Sequence, residues 1–418
     1  MRRRHFLRTG LGLLAASAVR GRAAETAAVA EAVAEAFDAE MAAFMGPRGV
    51  PGGALAVVKN GRLVYAQGYG LADRERKIPV TPEALFRIAS ISKPFTAVAV
   101  LQLVEAGRLR LDDRAFALLG FAPAQAADPR TAEITVGQLL HHTGGWDRDK
   151  SGDPMFRARE IARDLHTPPP AAAVDIIRWM YGRRLDFDPG SAHAYSNFGY
   201  CVLGRIIEKI TGANYARHVQ EKVLAPAGIR GMRIGASLRA GQAPGEVCYY
   251  ETREDLGRNV FDEPPEKVPF PYGGFHLEAM EAHGGWIASA VDLVRFAAAL
   301  DEPASSPLLK RETFDLLYAP PAAPVSRKAD GALEASYYAA GWSVRPVGQE
   351  GRANYWHNGS LPGTSTLLVR RSDGLSWAAV FNQRSEDKTL PDGGIDAALH
   401  RAANRVGAWP AGTALLGK

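Results

Sequence analysis

The chain is 418 residues long, 46% hydrophobic and 23% charged, a balance that builds a core and excludes a disordered or fibrous chain. At roughly 150 residues per domain, this length allows two or three domains, or one large domain with insertions. The net charge of +5 is concentrated at one end: residues 1–24 hold six of the 50 basic residues and none of the 45 acidic ones, leaving the remainder at −1. With no basic stripe elsewhere, the charge argues against nucleic acid as a partner.

The basic head reads as an export signal. Arg3-Arg4-His5-Phe6-Leu7-Arg8 is a twin-arginine pattern, the run from Thr9 to Val19 is apolar and rich in Gly and Ala, and Ala23-Ala24 offers small residues for cleavage. The apolar run is about half of the ~20 residues needed to span a bilayer. Residues 1–24 are therefore expected to be a signal peptide, and the mature protein to be periplasmic or secreted with no stable membrane span. Cys201 and Cys248 are expected as buried thiols, although an oxidising compartment leaves one disulfide open.

Along the chain, Val29, Val33, Phe37 and Met41 recur every four positions and predict an amphipathic helix over 27–45. Two β-rich runs, 53–58 and 62–66, flank Lys59-Asn60-Gly61, and Asn-Gly in that setting predicts a hairpin. From about residue 94 to 310 the apolar positions follow a helical period, as in Val98–Val104, Val202–Ile210 and Leu293–Phe296. Within this region 241–275, with its Pro pairs, reads as long irregular loop of the kind that lines sites. After the Pro-rich break at 320–324, strands return at 341–344, 364–369 and 375–380, and a helix closes the chain at about 393–405. The expected organisation is a sheet domain from 25–106 and 325–418, interrupted by a mainly helical insertion over 107–324.

Several chemistries are absent from the sequence: it has no G-x-S-x-G, no H-E-x-x-H, no Cys cluster and no phosphate-binding Gly-Lys-Ser/Thr loop. His141-His142 with Asp147 and Asp149 fits no metal template and reads as structural. What remains is Ser90-Ile91-Ser92-Lys93. A second S-x-x-K, Ser385-Glu386-Asp387-Lys388, serves as a control, because it lies in a polar stretch where neighbouring acids keep the lysine charged. Ser90 instead follows apolar Phe86, Ile88 and Ala89 and leads into an apolar helix whose first turn accepts Pro94. Serine and lysine three apart share a helix face, the helix N-terminus favours negative charge on an attacking oxygen, and burial favours a neutral lysine, which is a general base.

Two further motifs carry convergent polar groups. Tyr195-Ser196-Asn197 delivers a phenol and an amide to one spot; by itself it also fits a buried tyrosine with a satisfied hydroxyl. His357-Asn358-Gly359-Ser360 lies among the C-terminal strands, where Gly359 permits close approach and the Ser360 N–H pairs with that of Ser90 as an oxyanion hole; by itself it also fits a plain turn.

Taken in order, Ser90-x-x-Lys93, Tyr195-x-Asn197 and His357-x-Gly359 resemble the serine β-lactamase and penicillin-binding superfamily, most closely its class C branch with the D,D-peptidases, D-aminopeptidases and family VIII esterases. Phe86–Ser90, Leu139–Gly145, Gly284–Leu293 and Tyr338–Trp342 agree with it. The resemblance implies an α/β (α+β) fold, with an antiparallel sheet of about five strands flanked by helices, and a site between the sheet and an all-helical insertion domain. It implies that Ser90 forms an acyl-enzyme, that Lys93 and Tyr195 share proton transfer, and that Asn197, His357, Gly359 and Ser360 bind substrate. No metal or organic cofactor is implied; the partner is a small-molecule or peptide substrate, and oligomeric state is left open. His357 stands where β-lactamases usually carry lysine. A histidine of unperturbed pKa ~6.5 is mostly neutral at pH 7, so the expectation is an ester or amide hydrolase with weak β-lactamase activity, the alternative being a penicillin-binding protein that acylates and turns over slowly.

Overall fold

The sheet grows from the hairpin closed by Asn60-Gly61. Both residues have positive φ, 50° and 71°, as a two-residue type I′ turn requires. They join β1 (Gly52–Lys59) to β2 (Arg62–Asp73), with Lys59 paired to Arg62. The computed structural model describes residues 8–252, 256–322, 336–348 and 351–416; the first seven residues of the expected signal peptide and part of the Pro-rich break lie outside them.

On its other side β1 pairs with Leu375–Phe381, followed by Thr364–Arg370, Ala353–Leu361, Ser343–Pro346 and Tyr337–Tyr338, all antiparallel. Thr413–Ala414 and Ile78–Pro79 pair with β2. The sheet therefore has nine strands, a correction to the expected five or so. The additional ones are only two to four residues long; Ser343–Pro346 overlaps the strand expected at 341–344, and the two-residue ones are too short to show an alternating pattern.

Period-two alternation gives the sheet two buried faces. Leu55 and Val57, with Leu367, Val369 and Trp377, pack against Val33, Phe37 and Met41 of α1 (Arg8–Arg48) and Ile395 and Leu399 of the closing helix Gly394–Arg405. Ala54, Ala56, Val58, Leu368, Ala378 and Val380 point the other way, into a core shared with α2 (Ser92–Glu105) and the helices of the middle region.

The middle region is mainly helical, with Asn197–Thr211 and Ala290–Ala298 where the apolar period placed them. It also carries strands: Trp286–Ala288 and Arg233–Ile234 form a separate three-stranded sheet with Phe86–Arg87, which precedes α2. The 241–275 stretch is largely irregular and holds one small hairpin, Leu256–Arg258 with Lys267–Pro269. Cys201 and Cys248 are buried free thiols. Among the described residues no helix is long and apolar enough to cross a membrane.

Candidate active site

Ser90 sits on a sharp turn between a strand and a helix. Phe86–Arg87 ends in a 3-10 turn, Ala89–Ile91, that runs directly into α2. Ala89 turns the chain with φ 47°, a left-handed conformation that costs a non-glycine residue about 1 kcal/mol or more and persists only where the surroundings enforce it. Here they do. Thr366 donates its hydroxyl to the Ile88 carbonyl at 3.0 Å, and Thr364 donates to that of Arg87 at 3.0 Å. The buried Arg87 guanidinium donates to Pro271 O at 2.6 Å and Ala236 O at 2.7 Å, anchoring the irregular region to the same turn. Gly359 completes the enclosure: a Cβ there would lie 2.3 Å from Ile88 O and 3.1 Å from Ala89 Cβ. Only glycine lets the strand Ala353–Leu361 come this close to the nucleophile turn. Ser90 itself remains partly exposed.

In the first turn of α2, Lys93 is fully buried. Its Nζ lies 3.2 Å from Ser90 Oγ, 2.8 Å from Asn197 Oδ1 and 3.0 Å from His283 O. Burial holds its pKa well below the ordinary lysine value; Asp153 opposes this and Arg148 reinforces it. The three contacts are not equivalent. Two are carbonyl oxygens, which only accept, whereas the serine hydroxyl can also donate. In its neutral form the amine spends both N–H bonds on Asn197 and His283 and turns its lone pair to the Ser90 hydroxyl.

Asn197 opens its helix behind the N-cap Ser196, whose hydroxyl accepts from the Gly199 N–H at 3.2 Å. The preceding loop is organised by His142, buried with φ 57°: its Nδ1 accepts from the Ser196 N–H at 3.2 Å and its carbonyl from the Ala194 N–H at 3.0 Å. His141 bonds to Gly137 O, and Asp147 accepts from the Asp149 N–H. The two histidines hold the loop through these contacts, and among the described residues the four side chains are not gathered into one candidate metal cluster.

The same loop brings Tyr195 over Lys93, whose Nζ lies 4.6 Å from the ring centroid. The phenol oxygen is buried and makes no hydrogen bond of standard geometry among the described residues, although the Ser90 side chain is near enough to pull its pKa down. Burial outweighs that pull and raises the phenol above its usual value. With its pKa raised by burial, the phenol keeps its proton at rest.

His357 is turned inward and nearly inaccessible. Nδ1 meets its neighbour's carbonyl, Asn358 O, at 2.6 Å and Nε2 meets Tyr338 OH at 2.9 Å, so the proton sits on Nδ1 and Nε2 accepts from the phenol. Burial, with Lys93 nearby, depresses its pKa to about 3. Both ring nitrogens are engaged within the protein, Nε2 with Tyr338 and Nδ1 with the neighbouring carbonyl. Ser360, beyond Gly359, faces outward.

The structure thus brings Ser90, Lys93, Tyr195, Asn197 and Gly359 together, and the control pair does not form such a contact: the Ser385 hydroxyl bonds locally to Asp387, and Lys388 is exposed. Sequence reasoning missed Asp153, whose carboxylate accepts from Asn197 Nδ2 at 2.6 Å, and Arg148, whose guanidinium lies 4.9 Å from the Tyr195 ring centroid. Neither belongs to a motif, and no local pattern marks them.

This arrangement, a serine on a strained turn beside a buried lysine of lowered pKa under a phenol, defines a serine acyl-transfer site. The Beta-lactamase family model matches residues 37–401, and the chain belongs to that family. It is a serine hydrolase. It is 31% identical to penicillin-binding protein 4 of Amycolatopsis lactamdurans over 339 residues, covering 80% of this chain and 81% of that protein. In fold it is similar to a D-amino acid amidase from Ochrobactrum anthropi (TM-score 0.67, 22% identity, 90% and 98% of the two chains). It is also similar to EstCE1, a hydrolase with promiscuous acyltransferase activity (TM-score 0.67, 18% identity, 91% and 99%).

Proposed function

We propose that the protein cleaves an ester or amide, in the manner of an esterase or a D-amino-acid peptidase, through an acyl group carried on Ser90. The observation that carries this reading is the Lys93 environment: two obligate acceptors at 2.8 and 3.0 Å and a hydroxyl at 3.2 Å, which leave a neutral amine's lone pair facing the nucleophile. Lys93 takes the Ser90 proton as Oγ attacks the carbonyl carbon. The N–H groups of Ser90 and Ser360 hold the oxyanion, and Asn197 holds the acyl side. Tyr195, which retains its proton, delivers it to the leaving group and recovers one from the Lys93 ammonium; water then takes the place of the leaving group and releases the acid.

The neutral, inward His357 leaves its position without the fixed cation that grips a β-lactam carboxylate, which supports weak β-lactamase activity. The name of the Amycolatopsis relative favours a second reading, acylation by penicillin with slow release. Assays of p-nitrophenyl esters, D-alanyl anilides and nitrocefin on the wild type and Ser90→Ala, with a fluorescent penicillin label, separate the two. Turnover of esters or anilides that disappears in Ser90→Ala supports the hydrolase; a stable penicillin label without product supports the second reading; turnover that survives in Ser90→Ala refutes both.

The twin-arginine head further supports export to the periplasm or medium. Cell fractionation of the wild type and an Arg3→Lys, Arg4→Lys variant tests it, and equal export of both counts against it.

A further inference from the structure

We propose that Asp153 is a positioning residue for this site: it fixes the orientation of the Asn197 amide and supplies the negative charge facing Lys93, leaving one Asn197 N–H for an acyl oxygen. The proposal rests on the hydrolase reading above.

Asp153 caps the turn Pro154–Phe156, with Oδ1 accepting from the Met155 N–H at 3.0 Å. Thus pinned, its other oxygen accepts from Asn197 Nδ2 at 2.6 Å, and Asn197 Oδ1 in turn accepts from Lys93 Nζ at 2.8 Å. The two ends of a primary amide are nearly alike in shape, so an asparagine by itself does not choose which end faces the lysine. An ionised carboxylate accepts only, and therefore takes the NH2 end and forces the carbonyl toward Lys93. One N–H of that NH2 is used on Asp153, and the second remains for substrate.

The charges around Lys93 single out the same residue. Its own turn contributes only the Ser90 hydroxyl. The 195–200 segment contributes Asn197 and the faces of Tyr195 and Tyr200, both neutral. His142, His283 and His357 close the other sides, each buried and held uncharged. Arg148 works against the ammonium and Asp153 favours it. Asp153 is thus the countercharge when Lys93 takes the serine proton, delivered through an amide that also orients substrate.

The test is the pH profile of kcat/KM, whose acid limb reports Lys93 in the free enzyme, for the wild type, Asp153→Asn, Asp153→Ala and Arg148→Gln. Asp153→Asn keeps one acceptor oxygen, for Asn197 or for the cap, and loses the charge, so its acid limb is expected to move to lower pH. Arg148→Gln is expected to move it to higher pH. Asp153→Ala is expected to lose about 10- to 100-fold in kcat/KM, the loss of a hydrogen bond to a charged group, with Asp153→Asn recovering part of it. An acid limb that stays put in Asp153→Asn and Arg148→Gln, with equal losses in Asn and Ala, would overturn the proposal and leave Asp153 a fold residue. Should Asp153→Asn fail to fold, an unmoved limb in Arg148→Gln counts against the electrostatic argument on its own. Hydrolysis that persists in Ser90→Ala marks failure of the underlying reading instead.

Discussion

Replacing Lys93 by Met should abolish turnover and, at the same time, remove a pH-dependent stability penalty. Lys93 is fully buried and its pKa is depressed by that burial, whereas in the unfolded chain it titrates near ~10.4. Between the depressed value and the unfolded one, the unfolded state holds one more proton at this site. Stability then rises with pH, by about 1.4 kcal/mol per pH unit from this group. Below the depressed value both states hold the proton and the slope vanishes. Met fills similar volume and has no proton to lose, but it leaves the Asn197 and His283 oxygens without their partner, at a cost of about 1–3 kcal/mol each. The absolute difference between wild type and variant therefore mixes opposing contributions, and its pH dependence isolates Lys93. Urea unfolding from about pH 6 to about pH 9.5, linearly extrapolated, should give a difference that changes by about 1.4 kcal/mol per unit above a break. That break should coincide with the acid limb of wild-type kcat/KM, since both report one proton. A difference independent of pH across this range would refute the argument that the folded site holds the amine neutral.

Two further perturbations address the other parts of the site. Gly359→Ala places a Cβ 2.3 Å from Ile88 O and Thr366 Oγ1, so the strand must retreat by about 1 Å; misplacing an oxyanion donor costs about 10²- to 10³-fold in kcat, and a near wild-type rate would show that the Ser360 N–H is not used. Tyr195→Phe removes a hydroxyl without a standard hydrogen-bond partner among the described residues, so thermal unfolding should be unchanged while kcat falls about 10²- to 10⁴-fold, as for a lost proton donor; a matching loss of stability would assign the phenol to structure.

Features that depend on a few neighbouring residues were legible in the sequence. Asn60-Gly61 closed its hairpin because positive φ at both positions is a property of those residues and their turn. Ser90 and Lys93 came together because three residues make nearly one helical turn, and the control pair Ser385 and Lys388 did not because no helix follows it. The alternation in β1 separated Leu55 and Val57 from Ala54, Ala56 and Val58 onto the two faces found in the structure. The short edge strands, such as Tyr337–Tyr338 and Thr413–Ala414, have too few residues for any period and exist only because a longer neighbour offers them hydrogen bonds.

Charge state was decided by the tertiary structure. Lys93, Tyr195 and His357 each have an ordinary pKa as isolated side chains, and what shifts them is removal from water by segments far away in the chain. The inward turn of His357 follows from the Tyr338 hydroxyl and a neighbouring carbonyl, and the place of Asp153 follows from a turn that packs beside Asn197. Bond geometry and helical repeat act over a few residues and can be read from them. Desolvation sums over every group that surrounds a site, and that set exists only once the chain has folded.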